Sequence, residues 1–227
     1  VQDLEDLPTV WGGYDKLPLQ SKYFLQAGYG ITAMSGKCHT AWGEFGGFKH
    51  PEALRYEAAS MIAGGASCNF GDQLHPSGKI DSATYRIIGE AYAYVKEIEA
   101  YGIGGQPVAR LGLWRSFSAA HDECLVKMLL EKQINFEVAN FSKDLRAYEC
   151  ILIPGAACLD AATADRLNAF AKAGGNLLVL GSGALDAEGK VLLDIGADYL
   201  GEANYDRDYL AVEGALAEGL VASPFLN

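Results

Sequence analysis

The sequence predicts an α/β protein in which two sets of alternating strands and helices follow one another along the 227-residue chain. Short apolar runs that suit buried strands alternate with amphipathic stretches at helical spacing. The Gly-rich segment Tyr101–Gln106 separates the two sets and is predicted to be a linker. Such alternation is typical of parallel sheets, in which the functional residues lie on the loops that follow the strands.

The first half is predicted to contain two strand–loop–helix units after an aromatic, Gly-rich opening segment. His50 and Pro51 begin one helix, because proline suits the first helical position, and Asp81 caps the next. Asp3–Pro8 is predicted to be a loop, and the helices are interpreted as scaffold. The predicted elements are a short helix at Leu17–Ala27, strands at Ile31–Ser35 and Ala66–Phe70, a helix from Pro51 to Gly64, and a helix after Asp81 with Tyr85, Ile88, Tyr92, Val95 and Ile98 on one face.

The second half shows the same alternation without the dense polar loops. Its pattern predicts an open, doubly wound sheet with helices on both faces. The tail from Asp186 onward is less regular, and we expect it to cover a sheet edge or a partner. The predicted strands are Val108–Leu113, Ile134–Ala139, Cys150–Ile153 and Asn176–Leu180, and the predicted helices are Ala119–Lys132 and Asp160–Ala173.

Composition narrows the class of ligand. A formal net charge of −11 argues against nucleic acid and against an anionic membrane surface, both of which require clustered Lys and Arg. The aromatic residues, 11% of the chain, crowd into the first half, as is common where sugar rings are stacked. No apolar run approaches the ~18 residues of a membrane-spanning helix, and no signal peptide is visible.

Five cysteines, an odd number without a CxxC pair, are predicted to be buried free thiols in a reducing compartment. This favours a cytoplasmic location. A periplasmic one stays open if the N-terminus, which begins with Val1 and not with Met, is trimmed.

The first candidate site is the Gly-rich loop that carries His39, Trp42, Glu44 and Lys49. A carboxylate placed just after a buried strand, beside an indole, is what a glycosidase needs near the anomeric carbon of a sugar. Glu44 is therefore the candidate catalytic residue. The alternative is a Gly-rich turn on which Glu44 is a solvated rim residue.

The second candidate site is the loop Gly71–Gly78, which carries Asp72, Gln73 and His75. These side chains can hydrogen-bond to neighbouring sugar hydroxyls, and the loop neighbours the first if the two strands are adjacent. The alternative is an Asx-turn that only stabilises the loop.

A third group, Trp11, Tyr14 and Asp15, is predicted to form a wall of the same pocket, with an aromatic core as the alternative.

The sequence favours no metal and no cofactor. The histidines at 39, 50, 75 and 121 form neither HxH nor HxxxH pairs, and Gly102–Gly105 is not followed by the helix of a dinucleotide fingerprint.

The second half also has the pattern of the class I amidotransferase fold. However, no cysteine follows the strand Asn176–Leu180. Cys158 follows a different strand, and His121 lies too early in the chain for the usual order of catalytic residues.

Several runs of the chain resemble a known family. The runs Ser35–His39, Trp42–Pro51 and Gly71–Gly78 resemble glycoside hydrolases related to the family 42 β-galactosidases, some of them α-L-fucosidase-like. The stretch from Val108 to about Tyr209 is similar to the flavodoxin-like β-galactosidase trimerisation domain.

This resemblance implies that residues 1–105 are the C-terminal part of a (β/α)8 TIM barrel and residues 106–227 a flavodoxin-like trimerisation domain. It implies a retaining mechanism with Glu44 as nucleophile near the end of the seventh strand. The acid/base would lie on a fourth strand outside this chain, since a full barrel takes ~250 residues. The implied substrate-binding residues are Trp11, Asp15, His39, Trp42, Asp72 and His75.

The expected function is therefore that of the C-terminal portion of a glycoside hydrolase acting on O-glycosidic bonds, with a glycan substrate and a homo-oligomeric, preferably trimeric, assembly. The alternative is a non-catalytic carbohydrate-binding or oligomerisation module that keeps the pocket loops without the acid.

Overall fold

The structure, a computed structural model, describes residues 1–38, 40–42, 44–201, 204–205, 209–210, 212–218 and 225–226. Its residues form two compact units, Val1–Asp194 and Ile195–Asn227. In chain order the first unit contains β1 (Gln2–Glu5), α1 (Lys16–Gln26), β2 (Ile31–Gly36), α2 (Pro51–Ala63), β3 (Ser67–Gly71), α3 (Ser82–Gly102), β4 (Leu111–Leu113), α4 (Ala119–Glu131), β5 (Phe136–Val138), β6 (Cys150–Ile153), α5 (Ala161–Lys172) and β7 (Asn176–Val179).

The first sheet has the order β1-β2-β3, and both pairings are parallel. β1 pairs in register with β2, so that Leu4 lies opposite Ala33. The prediction of a loop at Asp3–Pro8 is therefore wrong for its first three residues. The reason is that Leu4 is the one buried residue of this edge strand, so the sequence shows no period-2 alternation there.

Two of the predicted helix starts are confirmed at atomic detail. The His50 ring accepts a hydrogen bond from Glu52 N at 3.2 Å, with Pro51 at the first position of α2. The Asp81 carboxylate accepts one from Ala83 N at 2.9 Å. The two helices share a core with β3, and α3 continues to Gly102, into the predicted linker.

The face of α3 is more exposed than the sequence pattern suggested. Ile88 and Val95 are buried, but Tyr85 and Tyr92 are 47% and 39% exposed. Tyr92 leans onto the end of β3, where its ring contacts Phe70 at 5.6 Å between centroids.

The second sheet has the order β5-β4-β6-β7, and all of its pairings are parallel. Helix α4 connects β4 to β5, and α5 connects β6 to β7. One apolar cluster, with α5, contains Ile151, Ile153, Leu167 and Phe170. The other cluster, with α4, contains Leu113, Leu125, Val126, Phe136, Val138 and Leu152.

Helix α1 belongs to both halves of the first unit. Leu17 packs in the core of the first sheet, whereas Leu19 and Tyr23 pack in the α4-side cluster of the second sheet. At the C-terminal end of α1, Gln26 Nε2 donates to Glu137 Oε2 on β5 at 2.6 Å. The two sheets are separate, but α1 packs in the apolar cores of both, so the cores before and after residue 105 are joined.

The unit Ile195–Asn227 contains a short antiparallel pair, Tyr209–Leu210 (β8) with Phe225–Leu226 (β9), and a 3-10 turn at Gly214–Ala217.

The five cysteines are free, as predicted, but not all are buried. Cys38 is buried, whereas Cys124 and Cys158 are exposed, so the prediction of burial is wrong for these two. Cys124 lies on α4 just before its buried positions Leu125 and Val126, and Cys158 lies on the loop before α5. Among the helices in the described part of the chain, none is long and apolar enough to cross a membrane.

The shared core at α1 gives a first prediction. Leu19→Ala should lower the free energy of unfolding by about 2–4 kcal/mol, because it removes a buried side chain from the core of the second sheet. Urea unfolding followed by fluorescence measures this loss. Leu74→Ala is the matched control, since Leu74 is 59% exposed, and should change stability by less than about 0.5 kcal/mol. Equally small effects of both substitutions would contradict the shared core.

Candidate functional site

Parallel pairing brings the carboxyl ends of β1, β2 and β3 to one edge of the first sheet. β2 and β3 end side by side, with Gly36 opposite Gly71. The pairing extends by one further bond, because Lys37 N donates to Gly71 O at 3.0 Å. At the end of β1, Glu5 lies opposite Met34 of β2. The loops that the sequence singled out therefore start from neighbouring strand ends.

Trp42 lies across these strand ends. A Cβ atom on Gly71 would come within 2.1 Å of Trp42 Cη2, and one on Gly36 within 3.0 Å of Cζ3, so only glycine fits at the two positions without displacing the ring. Trp42 Nε1 donates a hydrogen bond to Glu5 Oε1 at 2.6 Å. The indole is thus fixed from three strands and stays partly exposed.

The first and second candidate loops are in contact, as expected for loops that follow adjacent strands. The Lys37 ammonium lies 3.6 Å from Asp72 Oδ1, and its side chain is only 5% exposed. The rings of Phe45 and His75 pack edge to face at 5.5 Å between centroids. A cavity of about 50 Å³ lies between the loops and is lined by these four residues and by Gln73. Trp42, Asp72 and His75 thus belong to one strand-end site.

Glu44 is held within its own loop. Its Oε2 accepts a hydrogen bond from Thr40 N at 3.0 Å. The carboxylate lies over Gly47, where a Cβ atom would meet Glu44 Oε1 at 2.2 Å. His39 lies outside the described residues.

The third candidate group follows β1. Trp11 is 43% exposed, and the Lys16 ammonium lies 5.4 Å from the centre of its ring. Asp15 occupies the N-cap position of α1 without a side-chain capping bond. Tyr14 is 38% exposed, but its hydroxyl reaches the buried Glu57 and donates to Oε1 at 3.3 Å.

A buried ion pair lies beneath the strand-end site. The Lys49 ammonium contacts both carboxylate oxygens of Glu57, at 3.0 and 2.9 Å, and donates to Ser35 Oγ at 3.1 Å. Ser35 Oγ in turn donates to Glu57 Oε2 at 2.6 Å. Both charged side chains are at most 1% exposed. The pair joins the end of the Gly-rich loop to α2 and β2.

Sequence reasoning missed Glu57 because α2 was interpreted as scaffold. One signal was present: Glu57 follows Leu54 by three positions and precedes Ala58 and Met61, all on the apolar face of α2. A charged residue on an apolar helical face requires a buried partner.

Asp6, directly after β1, was also missed. It is 4% exposed, and neither carboxylate oxygen has a hydrogen-bond partner among the residues that the structure describes. It lines a cavity of about 20 Å³ with Tyr14, Ser35 and Glu57, large enough for about one water molecule. The pKa of Asp6 is raised to about 6, mainly because the carboxyl is buried and also because the Glu57 charge lies nearby, while the charges of Lys16 and Lys49 oppose the shift.

Within the described residues, no group of three or more His, Cys, Asp or Glu side chains is arranged to hold a metal ion. In the second sheet, the His121 ring pairs with Ser118 Oγ at 3.0 Å, and Cys158 lies exposed on a loop before α5.

Residues 126–202 match the family model of the β-galactosidase trimerisation domain. The whole chain is similar to the solved structure of α-L-fucosidase isoenzyme 2 from Paenibacillus thiaminolyticus, with 35% identity and a TM-score of 0.88 over 99% of this chain and 36% of that one. A β-galactosidase from Rahnella sp. R3 matches 85% of this chain and 34% of its own at 18% identity and a TM-score of 0.59, a likeness of fold. None of the curated proteins compared with the chain matches it. The chain spans about a third of the length of these two structures.

The ion pair gives a second prediction. Lys49→Met should destabilise the protein by about 3–5 kcal/mol, because it leaves the Glu57 carboxylate buried without its cation. The double variant Lys49→Met/Glu57→Leu should regain most of this loss, which thermal unfolding measures.

The control is Arg55→Met. Arg55 pairs with Glu52 on the surface of α2, at 3.7 Å, and this substitution should cost less than about 1 kcal/mol. If the double variant is as unstable as Lys49→Met alone, the loss of stability does not come from the unpaired charge of Glu57.

Asp6 gives a third prediction, of pH dependence. Its folded pKa of about 6 exceeds the ordinary value of 3.8, so the unfolded chain ionises first as pH rises and stability falls between these values. Asp6→Asn removes this loss. The stability gained by the variant should grow from pH 4 to pH 7, by up to about 3 kcal/mol.

Melting temperatures of both proteins across this pH range test the expectation. Asp3→Asn on the exposed side of β1 controls for the loss of one negative charge. A stability difference between Asp6→Asn and the parent protein that is the same at pH 4 and pH 7 would contradict the raised pKa.

Proposed function

We propose that this chain, which is related to glycoside hydrolases that carry a trimerisation domain, is the C-terminal part of such an enzyme and acts on O-glycosidic bonds. The observation that carries the proposal is the 35% identity to an α-L-fucosidase across 99% of the chain. α-L-Fucosides are therefore the first substrate class to test, and β-galactosides the second.

The architecture that we propose has two parts. Residues 1–105 are the last βα units of a (β/α)8 barrel. This is supported by three parallel strands in sequential order, each followed by a helix, with functional side chains at the carboxyl ends. Residues 106–227 are a flavodoxin-like domain. Its first four strands in chain order lie in the sheet as 2-1-3-4, which is the doubly wound order.

In this proposal Trp42 provides the aromatic platform and Glu44 the nucleophile. Trp42 suits its role because it is fixed over the strand ends with part of its ring exposed. Glu44 suits its role by position, since it follows β2 on the loop that carries Trp42. A retaining mechanism needs a second carboxyl group about 5–5.5 Å away. We place that group on another barrel strand.

Hydrogen bonding to the sugar is assigned to the polar side chains around the platform. Asp72 and His75 extend from the second loop, beside Lys37 and Phe45. Trp11 and Asp15 lie on the loop after β1 and would contact the substrate from that side. The proposed substrate-binding residues are Trp11, Asp15, His39, Trp42, Asp72 and His75.

A non-catalytic carbohydrate-binding or oligomerisation module is the second candidate. The observation that favours it is that both loop carboxylates already have partners. Glu44 accepts a hydrogen bond from the Thr40 amide, and Asp72 forms an ion pair with Lys37. For the assembly we propose a homo-oligomer, with a trimer favoured by the family match of residues 126–202. The five free cysteines favour the cytoplasm.

The fourth prediction separates the two candidates. In the full-length protein, which supplies the other barrel strands, Glu44→Gln should lower kcat for nitrophenyl α-L-fucoside by at least about a hundredfold, because an amide cannot form the glycosyl–enzyme bond. Glu52→Gln on the exposed surface of α2 is the control and should leave kcat unchanged.

Equal hydrolysis by the parent protein and Glu44→Gln would eliminate Glu44 as nucleophile. Fucose binding without hydrolysis of either fucoside or galactoside would instead establish the binding module.

A further inference from the structure

Four side chains, two of them exposed and two half-buried, form a patch, the aromatic patch, where α1 meets the carboxyl ends of β4 and β5. They are Tyr23, Arg115, Phe117 and Phe141. The Tyr23 ring lies 5.6 Å from the ring of Phe117 and 5.1 Å from that of Phe141. The Arg115 guanidinium lies 4.4 Å from the centre of the Tyr23 ring and 5.1 Å from that of Phe117. Phe117 is nonetheless 63% exposed and Phe141 44%.

The backbone at Phe117 is held in a conformation that its side chain disfavours. Its φ is +66°, in the left-handed region, which is strained for a bulky residue. Asp122, only 2% exposed, maintains this turn by accepting hydrogen bonds from Ser116 N at 3.0 Å and Phe117 N at 2.9 Å. The strained turn therefore holds the aromatic ring of Phe117 in contact with solvent.

The rest of the patch is also fixed before any contact is made. Asn140 accepts a hydrogen bond from Arg115 N at 2.7 Å and donates one to Arg115 O at 3.0 Å. Asp122 Oδ2 lies 3.8 Å from Arg115 Nε and offsets its charge. A rigid surface loses little conformational entropy when it is covered, so binding there is favoured.

We propose that the aromatic patch is a contact surface between copies of this chain in a closed ring. Buried aromatic and Arg side chains dominate the energy of protein interfaces. Copies that each carry a net charge of −11 repel one another, and they can approach most closely at a surface where the charge is balanced, as in the Arg115–Asp122 pair.

A second copy is the occupant because the adjoining residues 126–202, which include Phe141, match a trimerisation domain. In a ring of three, the patch of one copy meets a different face of the next. The inference rests on the oligomer proposed above and names the surface that forms it.

Phe117→Gly tests the proposal, because it removes the ring and relieves the backbone strain in one step. Association measured by sedimentation velocity should weaken by at least about tenfold, while the melting temperature of the dissociated chain stays equal or rises. Gln133→Gly is the matched control, since Gln133 is an exposed residue with φ +55° after α4, and it should leave association unchanged. Phe141→Ser provides a second, independent variant with the same expected loss.

Each outcome has a distinct meaning. Unchanged association of both Phe117→Gly and Phe141→Ser would overturn the patch as an interface and leave the oligomer intact. A parent protein that stays monomeric at micromolar concentration would overturn both the patch and the oligomer. Association that raised salt abolishes would indicate an acidic contact partner and would contradict this aromatic contact, since screening should favour copies of like charge. Fucoside hydrolysis is scored separately, so that failure of the glycosidase proposal stays distinguishable.

Discussion

The buried pair of Lys49 and Glu57 is the constraint on which the strand-end site depends. Its two charges are held out of water and are tolerable only together, because either one left alone would carry the full desolvation cost. Through Ser35 and Tyr14 the same pair reaches β2 and the loop after β1. One interaction thus fixes the end of the Gly-rich loop relative to the strands that the loop covers.

The chemistry above this pair follows from the fixed loop. With the loop anchored, Trp42 lies over two glycines and takes Glu5 as its hydrogen-bond acceptor. The second loop then contacts the first through Lys37 and Asp72. An indole with one side against the protein and polar groups at its margin suits the alternating apolar and hydroxyl surfaces of a sugar ring.

Much of this arrangement was predictable, because local signals agreed with the fold. Pro51 and Asp81 mark helix starts by their own chemistry, and adjacent parallel strands bring their loops together whatever the loops contain. β1 was not predictable, since Leu4 alone gives no periodicity. Glu57 and Asp6 were missed because tertiary packing, and not the local sequence, decides whether a buried carboxylate has a partner. Cys124 and Cys158 were placed wrongly because adjacency to apolar residues does not decide which side of a helix or loop faces water.

The division at residue 105 shows the same limit. The sequence marks the change from one sheet to the next, but α1 packs against both, through Leu17 on one side and Leu19 on the other.

A crystal structure of the protein soaked with L-fucose is the most direct test of a carbohydrate site at the ends of β1, β2 and β3. We expect the sugar ring on the exposed face of Trp42, with its hydroxyls hydrogen-bonded to Asp72 and His75. Fucose bound elsewhere, or a Trp42 face that stays empty at concentrations that saturate binding in solution, would contradict a carbohydrate site at the ends of these strands.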